Sequence, residues 1–133
     1  MHKQRKVRGF TLVEIMIVVV IVAILAALAY PAYGRFVQNS RMATAQGDLM
    51  ELAQWMERQY SLNNTYAGLV LPFAISPRDP TATTAYGIAL GNLGTNTFTL
   101  TATPVGPQVG HWCGNLTLDQ AGNRVAGDPD CWR

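Results

Sequence analysis

Lysine is missing from this chain beyond Lys6, and between Phe10 and Ala29 the only charge is Glu14. With residues 1–9 set aside, six arginines face eight carboxylates, a balance of −2. That excludes a general binder of polyanions, whose affinity comes from clustered cations. Cysteine is scarce too: Cys113 and Cys131 are the two present, no CxxC spacing occurs, and His111 is the one histidine outside the first nine residues. Two thiols and an imidazole are an incomplete zinc set. No serine or cysteine nucleophile has a recognisable base, and no glycine-rich loop precedes a helix. Asp119, Asp128 and Asp130 lack the alternation and the bidentate glutamate of a calcium loop, so they are expected to cap turns. The expectation is a protein without catalysis, cofactor or resident metal.

What is present starts at the N-terminus. Lys3, Arg5, Lys6 and Arg8 all precede Gly9, and no small-x-small cleavage pattern follows the apolar run as it would in an ordinary secretory signal. Cations beside a hydrophobic segment hold that end in the cytoplasm, which predicts an N-in, C-out orientation. The twenty residues Phe10 to Ala29 are apolar except for Thr11 and Glu14, and at about 1.5 Å per residue they span the hydrocarbon core as a transmembrane helix. Glu14 is the anomaly, because a carboxylate at membrane depth costs about 3 kcal/mol on insertion scales and calls for a partner. The helix carries no cation, so the partner is expected from another chain or from a newly made N-terminus. An outward-facing remainder reaches an oxidising compartment, where Cys113 and Cys131 are expected to form a disulfide that stabilises the fold by about 3 kcal/mol.

A basic leader, Gly9, then Phe10-Thr11-Leu12-Val13-Glu14 and a long aliphatic run resemble the prepilin signature of type IV pilins and of the related pseudopilins of type II secretion. The resemblance implies that a membrane-bound prepilin peptidase cuts between Gly9 and Phe10 and methylates the new amine on Phe10. It also implies that Glu14 meets the terminal amine of a neighbouring subunit during filament assembly. Two charges, each costly in hydrocarbon, become tolerable when they neutralise one another.

Pro31 removes a helical hydrogen bond and clashes with the carbonyl of Ala27, so it kinks the helix or marks its end, and Gly34 weakens the same turn. From Arg35 a helical pattern resumes without an intervening turn cluster. The family places a loosened stretch of helix at this point. Met42, Ala45, Leu49, Leu52, Ala53, Met56 and Tyr60 form the stripe of an amphipathic helix to Tyr60. The methionines at this spacing read as core.

Residues 61–84 are rich in turn formers and prolines and are expected to be an irregular loop packed by Tyr66, Leu69, Leu71 and Phe73. Strands are predicted at Tyr86–Leu90, Thr97–Thr103 and Leu116–Asp119, with Arg124 and Val125 opening a short fourth. In the second, Phe98, Leu100 and Ala102 share one face and the threonines the other, so one side covers the helix. The fold class is α+β: a long N-terminal spine against an antiparallel sheet of three or four strands, with a C-terminal disulfide loop. The divisions are leader 1–9, transmembrane helix 10–30, amphipathic spine 31–60 and head 61–133.

The order Thr97-Phe98-Thr99-Leu100-Thr101-Ala102-Thr103-Pro104, then Cys113-Gly114-Asn115-Leu116-Thr117-Leu118-Asp119, then Cys131-Trp132, is similar to the minor pilins called PilE, whose head is shared with the DNA-uptake pilin ComP. The resemblance implies a minor subunit of a pilus. Its partners would be the peptidase, other pilin subunits and the inner membrane, and it would end in an extracellular filament. A DNA receptor of that pilus is the second reading. For it Arg124 and Arg133 would supply charge, with Trp112 or Trp132 stacking on bases. The chain departs there from the electropositive face of such receptors, having Arg78, Arg124 and Arg133 as the head's cations beyond the spine. A type II pseudopilin is the third reading, and the C-terminal disulfide counts against it.

Overall fold

The computed structural model describes residues 8–132. A single helix, α1 (Leu12–Asn63), is followed by strands β1 (Ile75–Ser76), β2 (Tyr86–Gly91), β3 (Thr99–Pro104), β4 (Leu116–Asp119) and β5 (Arg124–Val125). Short 3-10 turns at Gly106–Gln108 and Pro129–Cys131 complete the chain. Two compact units divide between Phe36 and Val37.

The first unit holds the N-terminal part of α1. Every described side chain in it is exposed, and the helix is long and apolar enough to cross a membrane. Helical structure runs through Pro31, so the helix does not end at Tyr30.

The second unit is built on the expected stripe. Ala45, Leu49, Leu52 and Met56, spaced four, three and four apart, are fully buried, and Met42, Ala53 and Tyr60 pack half-buried beside them. This helix outruns the expected end at Tyr60. Asn64 takes the left-handed conformation that closes a helix, at φ 54°, and its N–H bonds the carbonyl of Tyr60 at 2.7 Å.

Five strands, not three or four, form an antiparallel sheet in the order β1-β2-β3-β4-β5. The register aligns Ile88 with Ala102 and Ala102 with Leu116, then Leu90 with Leu100 and Leu100 with Leu118. Because side chains alternate along a strand, these rows put Ile88, Leu100, Ala102, Leu116 and Leu118 into the core, while Thr99 and Thr101 stay half-exposed. The unexpected strand is β1, which lies in the stretch read as irregular. It is two residues long, too short to show any period, and it exists through pairing of Ile75 with Gly87 and Ser76 with Tyr86. At the opposite edge β5 pairs with β4 through a turn held by Asp119. The Asp119 carboxylate accepts the N–H groups of Ala121 and Asn123, both at 2.9 Å, and the Asn123 amide at 2.8 Å. These bonds, the Asn123 side chain first, hold the Asp119 carboxyl below its usual pKa. Asp128 likewise accepts the N–H of Asp130 at 2.8 Å, so both aspartates serve turns.

Phe98 precedes β3 and is fully buried, with its ring edge-on to Tyr66 at 4.8 Å between centroids. Phe98→Ala is therefore expected to destabilise the protein by about 3–5 kcal/mol, against less than about 0.5 kcal/mol for Thr99→Ala. Urea unfolding of the full chain in detergent measures both.

Candidate assembly segment and head surface

The helix begins with a capping box. Thr11 stands just before the first helical residue, and its hydroxyl accepts the backbone N–H of Glu14 at 3.2 Å. In return the Glu14 carboxylate accepts the backbone N–H of Thr11 at 3.4 Å. Two donors at a helix start are satisfied reciprocally, and a carboxylate in the first turn also suits the positive end of the helix dipole. Sequence reading treated Glu14 as lacking any partner within its own helix. The Thr11-Leu12-Val13-Glu14 spacing is the signal that reveals one. The bonds are neutral N–H contacts, so among the described residues the carboxylate has a hydrogen-bonding partner but no ion pair.

In the second unit the disulfide joins Cys113 to Cys131, both buried, with Cα atoms 5.9 Å apart. It ties the chain end to the segment between β3 and β4, and Gln46 of α1 donates its side-chain amide to the Cys131 carbonyl. The same segment grips α1 with polar groups: Gln108, which sequence reading did not single out, and His111, which it weighed only as a metal ligand. Buried Gln108 donates to the Gln38 carbonyl at 2.9 Å and to the Tyr86 hydroxyl at 3.1 Å, and Gln38 donates to the Pro107 carbonyl at 3.4 Å. His111 Nε2 lies 3.1 Å from Asn39 Oδ1, and His111 Nδ1 accepts the Cys113 N–H at 3.4 Å. Those contacts fit the neutral ring protonated at Nε2.

The residues expected to touch DNA are only partly gathered. Arg124 lies over the Trp132 ring at 5.6 Å, and the Trp132 indole N–H donates to the Val125 carbonyl at 3.0 Å. Trp112 is exposed and sits beside His111, with ring centroids 5.9 Å apart. Arg133 lies outside the described residues, as do residues 1–7 of the leader. Arg78 is already engaged. Its guanidinium binds both Glu51 oxygens at 3.1 and 2.8 Å, approaches Asp48 at 3.6 Å and covers the Phe73 ring at 4.4 Å. This clamps the chain after β1 onto α1 and leaves Arg78 a poor phosphate ligand.

Burial lowers the His111 pKa from its ordinary value. The unfolded chain then binds the proton more readily than the folded one, so the stability from the neutral ring is complete above about pH 6.5 and falls as the pH drops below it. Full-chain urea midpoints at pH 7.5 and 5.5 are expected to differ more in the wild type than in His111→Gln.

Comparison with known proteins places these features together. Residues 31–117 match the model of the type IV minor pilin ComP, DNA uptake sequence receptor, and residues 4–30 match the prokaryotic N-terminal methylation motif. No curated protein matches the chain. Among solved structures, a type IV pilin from Shewanella oneidensis is 31% identical, with 72% of this chain and 98% of that one covered at a TM-score of 0.57. The non-core minor pilin PilV of Neisseria meningitidis shares the fold at 24% identity, with 68% and 87% coverage and a TM-score of 0.53. With most of its length matched to one model and its helix-on-sheet head found in another pilin, the chain belongs to the ComP-type minor pilins of the type IV pilin family.

Proposed function

We propose that this protein is a non-enzymatic structural subunit, a minor pilin, of a bacterial type IV pilus. The leader 1–9 is removed by prepilin peptidase between Gly9 and Phe10, and the new amine of Phe10 is methylated. Before assembly the subunit spans the inner membrane once, N-in and C-out, through residues 10–30. Afterwards the spine, 10–60, enters the filament core and the head, 61–133, faces outward, with bending at Pro31 and Gly34. The observation that carries this reading is the joining of a methylation-motif helix to a disulfide-closed pilin head in one chain. The disulfide, together with the match of residues 31–117 to a type IV minor pilin model, supports the pilus over the secretion pseudopilin.

In this reading Glu14 acts as an assembly charge. Its capping contacts with Thr11 hold it ready in the free subunit, and the amine of a neighbour supplies the counter-charge that the run from Phe10 to Ala29 lacks. Glu14→Ala is expected to leave membrane insertion intact while incorporation into sheared filaments drops at least about tenfold, the effect of roughly 1.4 kcal/mol at a single assembly equilibrium. Immunoblots of membrane and filament fractions measure this, and normal incorporation of the variant would sink the assembly role.

A second reading, a DNA receptor on the pilus, draws on the Arg124–Trp132 pair and on the receptor named in the matching model. Against it stand the acidic balance and the engagement of Arg78. If it holds, filter binding of duplex DNA to the full chain weakens on raising salt from 50 to 200 mM, with a log–log slope of about −1 per phosphate contact. Arg124→Ala is expected to lower that slope by about one, whereas binding without salt dependence removes the reading.

A further inference from the structure

Directly after the aliphatic run, α1 carries three large aromatic side chains in open solvent: Tyr30, Tyr33 and Phe36, exposed by 87%, 70% and 70%. At about 100° per residue they occupy one arc of roughly 120° on the helix, and Arg35 falls outside it. Nothing in the first unit covers them, since every described residue there is exposed. Pure core-forming residues would not need the two phenolic hydroxyls. An amphipathic ring with an apolar body and a polar tip is suited to the boundary between hydrocarbon and water. The position along the helix agrees with that use. Leu12 to Ala29 is eighteen residues, or about 27 Å, against a hydrocarbon core of about 30 Å. Tyr30 to Phe36 extends about 9 Å further, close to the depth of one headgroup layer.

We propose that Tyr30, Tyr33 and Phe36 form a lipid-interface anchor on the outer face of the membrane, which fixes the depth of the unassembled subunit. The inference rests on the single-pass membrane reading above and adds a register to it. With Tyr30 held at the outer boundary, Glu14 lies sixteen residues back, about 24 Å away, and so within several ångströms of the inner boundary. The carboxylate and the Phe10 amine then sit where cytoplasmic water reaches them, not at the bilayer centre. The Glu14 penalty falls accordingly, because the cost of a buried charge is steepest at the centre and relieved near the interface. Arg35, on the opposite side of the helix from the aromatic arc, lies at the same depth and extends its charge toward the outer headgroups.

The test uses the full chain in vesicles of phosphatidylethanolamine and phosphatidylglycerol at high lipid-to-protein ratio. Two probes, Tyr33→Trp and Val20→Trp, are each read as the difference from the unsubstituted chain. The vesicles carry either lipids brominated in mid-acyl chain or lipids with a nitroxide on the headgroup. The Tyr33→Trp signal is expected to be quenched at least twofold more by the headgroup nitroxide than by the bromines, and the Val20→Trp signal at least twofold more by the bromines. Quenching of Tyr33→Trp by aqueous acrylamide alone overturns the anchor while leaving the membrane reading intact. Loss of bromine quenching at Val20→Trp overturns the membrane reading itself. Protection of Tyr33→Trp from both acrylamide and lipid quenchers means that a second copy of the chain covers the arc, and this also overturns the anchor. Tyr30→Ser, Tyr33→Ser and Phe36→Ser combined are expected to cut the bromine quenching at Val20→Trp at least twofold as the span loses its register. Unchanged depth there contradicts the proposal.

Discussion

A carboxylate in the first turn of a membrane-length helix is the constraint on which the rest depends. Glu14 is retained in a run that is otherwise apolar, where its carboxylate accepts the Thr11 N–H and its own N–H bonds the Thr11 hydroxyl, and the segment Phe10 to Ala29 holds no cation to pair with it. Hydrogen bonding lowers the cost of such a group, and a nearby counter-charge lowers it further. Cleavage after Gly9 would create that charge one residue before Thr11, on every subunit. In the proposed reading this helix serves both as a membrane anchor and as a contact surface for neighbouring subunits. The exposed aliphatic face from Leu12 to Ala29 fits both lives, since hydrocarbon chains and neighbouring apolar helices satisfy it equally.

The head is organised around the second half of the same helix. Ala45, Leu49, Leu52 and Met56 bury themselves against Ile88, Phe98, Leu100, Ala102, Leu116 and Leu118, which is a small core for the number of residues it must hold. Covalent and polar ties make up the difference. The disulfide fixes the chain end, Gln108 and His111 pin the segment after β3 to Gln38 and Asn39, and the Arg78 clamp secures the chain after β1 to Glu51. Spending Arg78 in this way also shapes the surface, because among the described residues it leaves Arg124, over the Trp132 ring, as the head cation beyond the helix that forms no ion pair.

Much of this was readable in the residues. The apolar run, the stripe from Met42 to Tyr60 and the alternation in Thr97–Thr103 are periodic over many residues, and long periodic signals survive tertiary context. The pairing of Cys113 with Cys131 followed from compartment alone. The features that escaped are those made by contacts distant in sequence or by very short segments. Ile75–Ser76 becomes a strand only because β2 lies beside it, and Gln108 reads as a surface residue until the core closes over it. Arg78 looked like a free cation because nothing local announces Glu51, twenty-seven residues away. The capping box is a different case: its Thr-x-x-Glu spacing was in plain view, overshadowed by the question of which external charge Glu14 meets.

The pairing of Glu14 with the amine of a neighbouring subunit is the claim that unites the leader, the helix and the filament. A high-resolution structure of the assembled pilus containing this subunit tests it most directly, by the separation between the Glu14 carboxylate and the closest Phe10 amine of an adjacent chain. The account predicts a distance within about 4 Å, the range of an ion pair. A Glu14 still bonded to its own Thr11, with every neighbouring amine well beyond that range, would contradict it.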